Sequence, residues 1–267
     1  MPSVRQIRYF ILVFLNYTID GIRRWLLKKG LIKRAPWSTR IVVVSYPKSG
    51  RTWLHVMLDF LGINLRYRHD CASKLHSTAE NFEVAIDKNY YAEKRVVFLF
   101  RDPRDVVVSS YYHTKHRKTG LFEGNLSEFI RHPKYGVRKI LAYQSCWFRN
   151  SHIPKDFISV QYRDLKKSPT DSLQKIVTFT GAHTISRRKI RKTVDIFAFD
   201  NMKFFERAKL LKMRYGKILR PRDKGDKHSA KVRSGRIGGH RDVLSDGDIE
   251  YCNRVMQEFP ELLHFYS

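Results

Sequence analysis

The sequence is short of cysteine, of acid and of long apolar runs, and each shortage excludes a class of protein. Only three of its 267 residues are Cys (Cys71, Cys146 and Cys252), at wide and unpatterned spacing. That supplies neither a disulfide framework nor the paired spacing of a zinc site, so a reducing compartment, the cytoplasm, is the expectation and no metal is called for. Acidic residues number 25 against 52 Lys plus Arg, which leaves a formal charge of +27. Such a field concentrates anions; by itself it leaves open nucleic acid, an anionic membrane, acidic glycans or a phosphorylated small molecule. The apolar run Tyr9 to Ile19 is broken by Asn16 and Thr18. It falls short of the about 20 residues that a spanning helix needs, and it lacks the small-residue cleavage site of a secretory signal. Three readings of it stay open: a helix packed on the domain, a helix on a membrane surface, and a marginal anchor. The basic segment Arg23 to Arg40 supports surface attraction to anionic lipid, while a helix packed on the domain is the default expectation.

What is present is the content of a folded α/β protein. Hydrophobic residues make up 42% of the chain, enough for one domain with a full core. We divide it into a basic, apolar helical extension, residues 1–40, and a main domain, residues 41–267. The organising stretch is Ile41 to Leu58, I-V-V-V-S-Y-P-K-S-G-R-T-W-L-H-V-M-L. Its β-branched start predicts a buried strand, Tyr46 to Arg51 a turn, and Thr52 to Leu61 a helix. The unpaired N–H groups at the start of such a helix, with its dipole, make an anion site. Lys48 adds a charge, Ser49 and Thr52 add hydroxyls, and Gly50 lets backbone approach a ligand. This is not a Walker A loop, because Lys48 precedes Gly50 and Arg51 follows it.

Further strands are predicted over Ile63 to Arg68, Lys94 to Phe100 and Asp156 to Gln161, and helices over Phe129 to Trp147, Leu173 to Gly181 and Ser245 to Phe259. After the second of these strands comes R-D-P-R-D-V-V-V-S-S-Y-Y-H, where Asp102 caps a helix opened by Pro103. Arg101 then sits at a strand's carboxyl end, where α/β sheets bind ligands. The run Arg187 to Lys192 fits a solvated helix face or a nucleic-acid patch; Lys203 to Lys231 is strongly basic and is expected to form a mobile loop or lid.

Two motifs, Y-P-K-S-G-R-T-W at 46–53 and R-D-P-R-D-x-x-x-S-x-Y at 101–111, together resemble those of sulfotransferases that use 3′-phosphoadenosine-5′-phosphosulfate (PAPS). The resemblance extends over about Ile41 to Glu258. It implies a single α/β domain of the P-loop-containing nucleotide-binding type, with a central parallel sheet flanked by helices. By the same resemblance, Lys48, Ser49, Gly50, Arg51 and Thr52 form the 5′-phosphosulfate loop, Trp53 stacks on the adenine, and Arg101 and Ser109 hold the 3′-phosphate. Tyr162 opens a segment similar to Y-E-D-L-K, with Arg163 in place of Glu, and meets the nucleotide. Phe199 lies in a segment similar to S-F-x-x-M-K, near the adenine. Arg233, Ser234 and Gly235 resemble the R-K-G that closes on the 3′-phosphate, although Ser234 replaces Lys, and Gly239 and His240 replace the usual Asp-Trp.

The implied activity is sulfuryl transfer from PAPS to a hydroxyl acceptor, a glycan, lipid or small molecule, giving a sulfate ester and 3′,5′-ADP. No metal and no nucleic acid are implied. Such a reaction needs a base near neutral pH, for which His is suited. His55, His69 and His76 lie between the two motifs. His69, at the end of the predicted strand, is the choice; His76, Asp70 and Glu80 stay open as alternatives. Lys48 is expected to neutralise charge growing on the bridging oxygen. Two other classes are weighed against this one: a P-loop kinase, and a basic protein that binds nucleic acid or anionic membrane without catalysis.

Overall fold

Four parallel strands carry the fold: β1 (Ile41–Ser45), β2 (Arg66–Arg68), β3 (Arg95–Phe100) and β4 (Asp156–Gln161), in the order β2-β1-β3-β4. The computed structural model describes residues 2–29, 40–70, 87–117, 120–208, 232 and 235–266. Its helices are α1 (Val4–Lys28), α2 (Arg51–Phe60), α3 (Lys88–Ala92), α4 (Pro103–Arg117), α5 (Leu126–Arg131), α6 (Val137–Arg149), α7 (Tyr162–Lys167), α8 (Pro169–Thr180), α9 (Arg187–Ile196), α10 (Phe199–Arg207), α11 (Asp246–Gln257) and α12 (Leu263–Tyr266). These residues group into two compact units. One draws on Met1–Thr39, Thr52–Asn64 and Pro169–Gly235, the other on Arg40–Arg51, Leu65–Ser168 and Arg236–Ser267.

The second unit contains the sheet. Every residue of β1 is buried, as an uninterrupted Ile-Val-Val-Val run requires of a strand covered on both faces. Val42 pairs with Arg66 on one side and Val96 on the other, and Val97 pairs with Ile158. Because all pairs are parallel, the carboxyl ends of the four strands share one edge. The order also places β2 and β3 on opposite sides of β1, which makes the β1/β3 junction a topological switch point. Packed over the sheet is an aromatic core centred on Phe98. Its ring meets Trp147 at 5.8 Å and Phe157 at 6.1 Å, both stacked, and Phe148 edge-on at 5.4 Å; such pairs each add about 0.5–1.5 kcal/mol beyond their buried area.

Strand β4 matches its predicted bounds and β3 begins one residue late, but β2 is shorter than expected. Ile63 and Asn64 serve the end of α2 instead. Gly62 takes φ 84° and donates to Asp59 O, while Ile63 N donates to Leu58 O at 2.8 Å; this pair of bonds closes a Schellman cap. The helix expected over Phe129 to Trp147 is two helices, α5 and α6. Pro133 cannot donate a helical hydrogen bond, and a Cβ at Gly136 would stand 2.3 Å from Ile130 O, so the chain turns tightly there. Tyr143 and Trp147 are core residues.

In the other unit, α1 packs on α10 through Phe10 and Phe204, with ring centroids 6.1 Å apart, and α8 packs beside α9. Helix α8 starts at Pro169, one turn before the expected Leu173, because proline suits the first helical position. The solvated-face reading of Arg187 to Lys192 holds: the basic residues of α9 are exposed around a buried Ile190. Lys203 to Arg207, expected as the start of a loop, belong to α10 instead, where Phe204 and Phe205 extend its apolar face. The rest of that lid, residues 209–231, lies outside the described residues. None of the described helices is long and apolar enough to cross a membrane.

Candidate active site

The residues directly after the carboxyl ends of the four strands meet within the sheet unit. After β1, Lys48 takes φ 74° and Gly50 φ 95°. Positive φ is uncommon for a side chain like that of Lys and signals a backbone held in place by its surroundings. Gly50 is required twice over, since a Cβ would lie 2.5 Å from Tyr162 Cδ2. Between them Ser49 is fully buried, and its Oγ has no hydrogen-bond partner among the described residues. Leaving such a hydroxyl unsatisfied costs about 1–3 kcal/mol. A bound anion would remove that cost, and a loop with this backbone is the kind that cradles phosphate. Arg51, the first residue of α2, is partly buried near Tyr143 and Tyr67, and burial pulls its pKa down.

Arg101, at the end of β3, is held from several sides. Nη2 donates to Arg236 O at 2.9 Å and stands 3.2 Å from Asp105 Oδ2, while Nη1 lies 3.4 Å from Lys48 O. The guanidinium covers the Tyr162 ring at 4.4 Å, and Gln144 Nε2 donates to the Arg101 carbonyl at 2.8 Å. Tyr266 Oη in turn donates to Gln144, so α12 supports the site from behind. Yet Arg101 Nε is buried and has no partner among the described residues. A fork fixed in this way, with its buried Nε–H left over, suits an anionic ligand. Ser109 lies on α4, partly buried, two helical turns beyond Arg101. Arg104, although part of the same motif, is used elsewhere: it pairs with Asp102 at 2.7 Å and donates to Asn253 Oδ1 and Tyr266 O. The expected cap is present, with Asp102 Oδ1 accepting from Arg104 N at 2.9 Å.

Asp105 is the residue that sequence reasoning missed. It is buried, and its oxygens accept from the backbone N–H of Gly238 at 3.0 Å and of His240 at 3.1 Å, with His240 Nδ1 at 3.1 Å. It therefore ties the Gly238–His240 segment to Arg101. The signal was the i,i+4 spacing of Arg101 and Asp105 in the second motif. Burial alone would push the carboxyl up, but His240, Arg101 and the Gly238 N–H outweigh it and hold its pKa at about 2. The gap from the ordinary 3.8 corresponds to about 2 kcal/mol of stability. Because the folded value is depressed, this contribution is present above about pH 4 and is lost as pH falls towards about 2. Denaturant unfolding should show wild type losing about 2 kcal/mol of its advantage over Asp105→Asn across that window; an advantage independent of pH would refute the assignment.

His69 follows β2. Its Nδ1 lies 2.7 Å from the carbonyl oxygen of Ser45, the last residue of β1. A carbonyl only accepts, so Nδ1 carries the proton and Nε2 is the basic nitrogen of the neutral ring. Asp70, an alternative base, is committed elsewhere: both its oxygens lie 2.7 Å from Tyr91 Oη, and Arg68 Nε donates to it at 2.9 Å. His76 and Glu80 lie outside the described residues.

In the other unit, Trp53 Nε1 donates to Phe197 O at 2.7 Å, which fixes the indole. Phe199 opens α10, with Lys203 Nζ 4.6 Å from its ring centroid and Gly235, φ 61°, against its edge. Thr52 is partly buried at the start of α2. Arg233 and Ser234 lie outside the described residues. Among the described residues no group of three or more His, Cys, Asp or Glu is placed to hold a metal ion.

Comparison with known proteins finds sulfotransferases. The chain is 23% identical over 260 residues to flavonol 3-sulfotransferase of Flaveria bidentis, covering 82% of this chain and 80% of that one. It is 24% identical over 251 residues to amine sulfotransferase of Oryctolagus cuniculus, covering 82% and 79%. A mouse sulfotransferase solved in complex with PAP superposes with a TM-score of 0.59 at 18% identity, over 87% of this chain and 90% of that one, and shares the fold. The model of the sulfotransferase domain matches residues 76–264, most of the sequence, and the chain belongs to that family.

Proposed function

We propose that His69 is the general base, and Lys48 the charge-neutralising residue, of the PAPS-dependent sulfuryl transfer that this chain performs. The observation that carries the proposal is the 2.7 Å contact between His69 Nδ1 and Ser45 O, which leaves Nε2 as the basic nitrogen at the sheet edge where ligands bind. PAPS, when bound, supplies the sulfuryl group, and 3′,5′-ADP leaves as the acceptor oxygen takes its place on sulfur. The residues present fit that co-substrate: buried Ser49 Oγ and Arg101 Nε each await a partner. Ser49, Gly50, Arg51 and Thr52 would hold the 5′-phosphate, and Arg101 and Ser109 the 3′-phosphate. Arg233, Ser234 and Gly235 would close over the 3′-phosphate, with Tyr162 against the nucleotide and Trp53 and Phe199 on the adenine. His69 Nε2 takes the acceptor's hydroxyl proton. Lys48 neutralises the charge that grows on the leaving oxygen.

Lys48→Ala should therefore lower kcat by about 10²–10³-fold, the usual loss when one preorganised electrostatic group is removed. The affinity for 3′,5′-ADP should fall much less, because the charge Lys48 answers develops only in the transition state. Stopped-flow turnover and calorimetry together measure the split; equal losses in both would make Lys48 a simple binding residue. The kinase and non-catalytic readings gain no support from the relatives. We keep residues 41–267 as the sulfotransferase domain and 1–40 as its extension, and propose a hydroxyl-bearing acceptor and a cytoplasmic location. The location is in keeping with Cys146 and Cys252, both buried and unbridged.

We also propose peripheral contact with anionic membrane through α1. The helix is apolar on two sides. Val13 and Tyr17 are buried, while Ile11, Ile22 and Trp25 on a different face are 52%, 57% and 56% exposed. Arg5 and Arg8 are exposed on the same helix, an arrangement suited to an interfacial helix over anionic headgroups. Co-sedimentation with phosphatidylserine vesicles should be strong for the full chain and lost in Ile11→Glu/Ile22→Glu. Wild-type protein that stays in the supernatant would dispose of this contact.

A further inference from the structure

His69 is bracketed by an ion pair, since Arg68 Nε donates to Asp70 Oδ1 at 2.9 Å across it. The backbone of Asp70 takes φ 47°, a left-handed conformation that Asp tolerates better than most residues but that persists only where its surroundings hold it. Here they do. The Asp70 side chain is 5% exposed, and both its oxygens lie 2.7 Å from Tyr91 Oη. Tyr91 is itself in the core, edge-on to Trp147 at 4.9 Å. Its hydroxyl stays protonated as the donor, because burial and then the Asp70 charge push its pKa up. Arg68 is steadied in turn by the face of Tyr90, 4.7 Å from the ring centroid.

A carboxylate buried against one half-exposed cation is a poor source of stability. What the arrangement does is fix the main chain on both sides of His69, while Ser45 O fixes the ring itself. We propose that Tyr91 and Asp70 are positioning residues that clamp the backbone at His69, so that Nδ1 meets the Ser45 carbonyl and Nε2 faces the acceptor. The inference deepens the assignment of His69 as base and rests on it. It explains why a strained residue follows the base directly, and why α3 carries a tyrosine whose hydroxyl reaches back 21 positions.

The test reads the imidazole directly and needs no acceptor. In full-length protein labelled with ¹⁵N-histidine, with His69→Gln used for assignment, wild type at neutral pH should show distinct pyrrole-type Nδ1 and pyridine-type Nε2 signals for His69. Tyr91→Phe keeps the core ring and removes only the anchor, so it should fold. In that variant and in Asp70→Ala the two signals should collapse towards a tautomeric average. Asp70→Asn, which still accepts from Tyr91 and tolerates φ > 0, should restore the resolved pair. Resolved signals retained in both Tyr91→Phe and Asp70→Ala would overturn the clamp. A collapse as expected, combined with full sulfuryl transfer in His69→Ala, would instead overturn the base assignment and with it the catalytic purpose of the clamp.

Discussion

His69→Ala is expected to lower kcat/KM for sulfuryl transfer by about 10²–10⁴-fold, the contribution of a positioned general base. The affinity for 3′,5′-ADP should be largely unchanged, because the groups proposed to hold its phosphates are those of the 49–52 loop and Arg101, whereas the imidazole is proposed to act on the acceptor hydroxyl. The loss should fall on kcat and kcat/KM alike, as it does when an interaction made only in the transition state is removed. His69→Asn is a useful second variant, since its amide can still donate to a carbonyl but supplies no base. Activity near wild type in either would move the proton transfer to another group.

Arg101→Ala should act on binding instead. A hydrogen bond to a charged group contributes about 1.5–3 kcal/mol, so the affinity for 3′,5′-ADP should drop roughly 10- to 150-fold. Part of the loss would arise inside the protein, because Asp105 would lose the guanidinium 3.2 Å away and, among the described residues, keep His240 and two backbone N–H groups. Arg101→Lys separates the two effects. It keeps a charge near Asp105 but not the planar fork, nor the stacking over Tyr162 at 4.4 Å. Isothermal titration of each variant with 3′,5′-ADP gives the ranking, which should be wild type, then Lys, then Ala. Equal affinities across the three would remove Arg101 from the site.

How much of this was legible in the sequence depends on how local each cause is. β1 and β3 could be read because strands covered on both faces need continuous apolar runs; β4 is only partly covered, and its signal was the shorter set Phe157, Ile158 and Val160. The turn at Lys48–Gly50 could be read because only certain residues fit a backbone that must approach an anion. Asp105 carries a signal in its i,i+4 spacing from Arg101, but the spacing does not reveal its bonds to Gly238 and His240, more than a hundred positions on. Tyr91 was less legible still, since nothing near it in sequence says that its hydroxyl meets Asp70. The break between α5 and α6 was missed because apolar spacing continues across Pro133 and Gly136, and backbone chemistry decides there against the pattern. The apolar run Tyr9 to Ile19 within α1 was visible, but which of its residues meet α10 is a tertiary fact.

The most direct test of the account is transfer of ³⁵S from labelled PAPS to phenolic, lipid and glycan extracts by the full-length protein, with His69→Ala and Lys48→Ala run beside it. The account predicts labelled sulfate esters and 3′,5′-ADP in equal amounts from wild type, and loss of both products in the two variants. PAPS that neither binds nor turns over, alongside tight and salt-sensitive binding of polyanions, would contradict it.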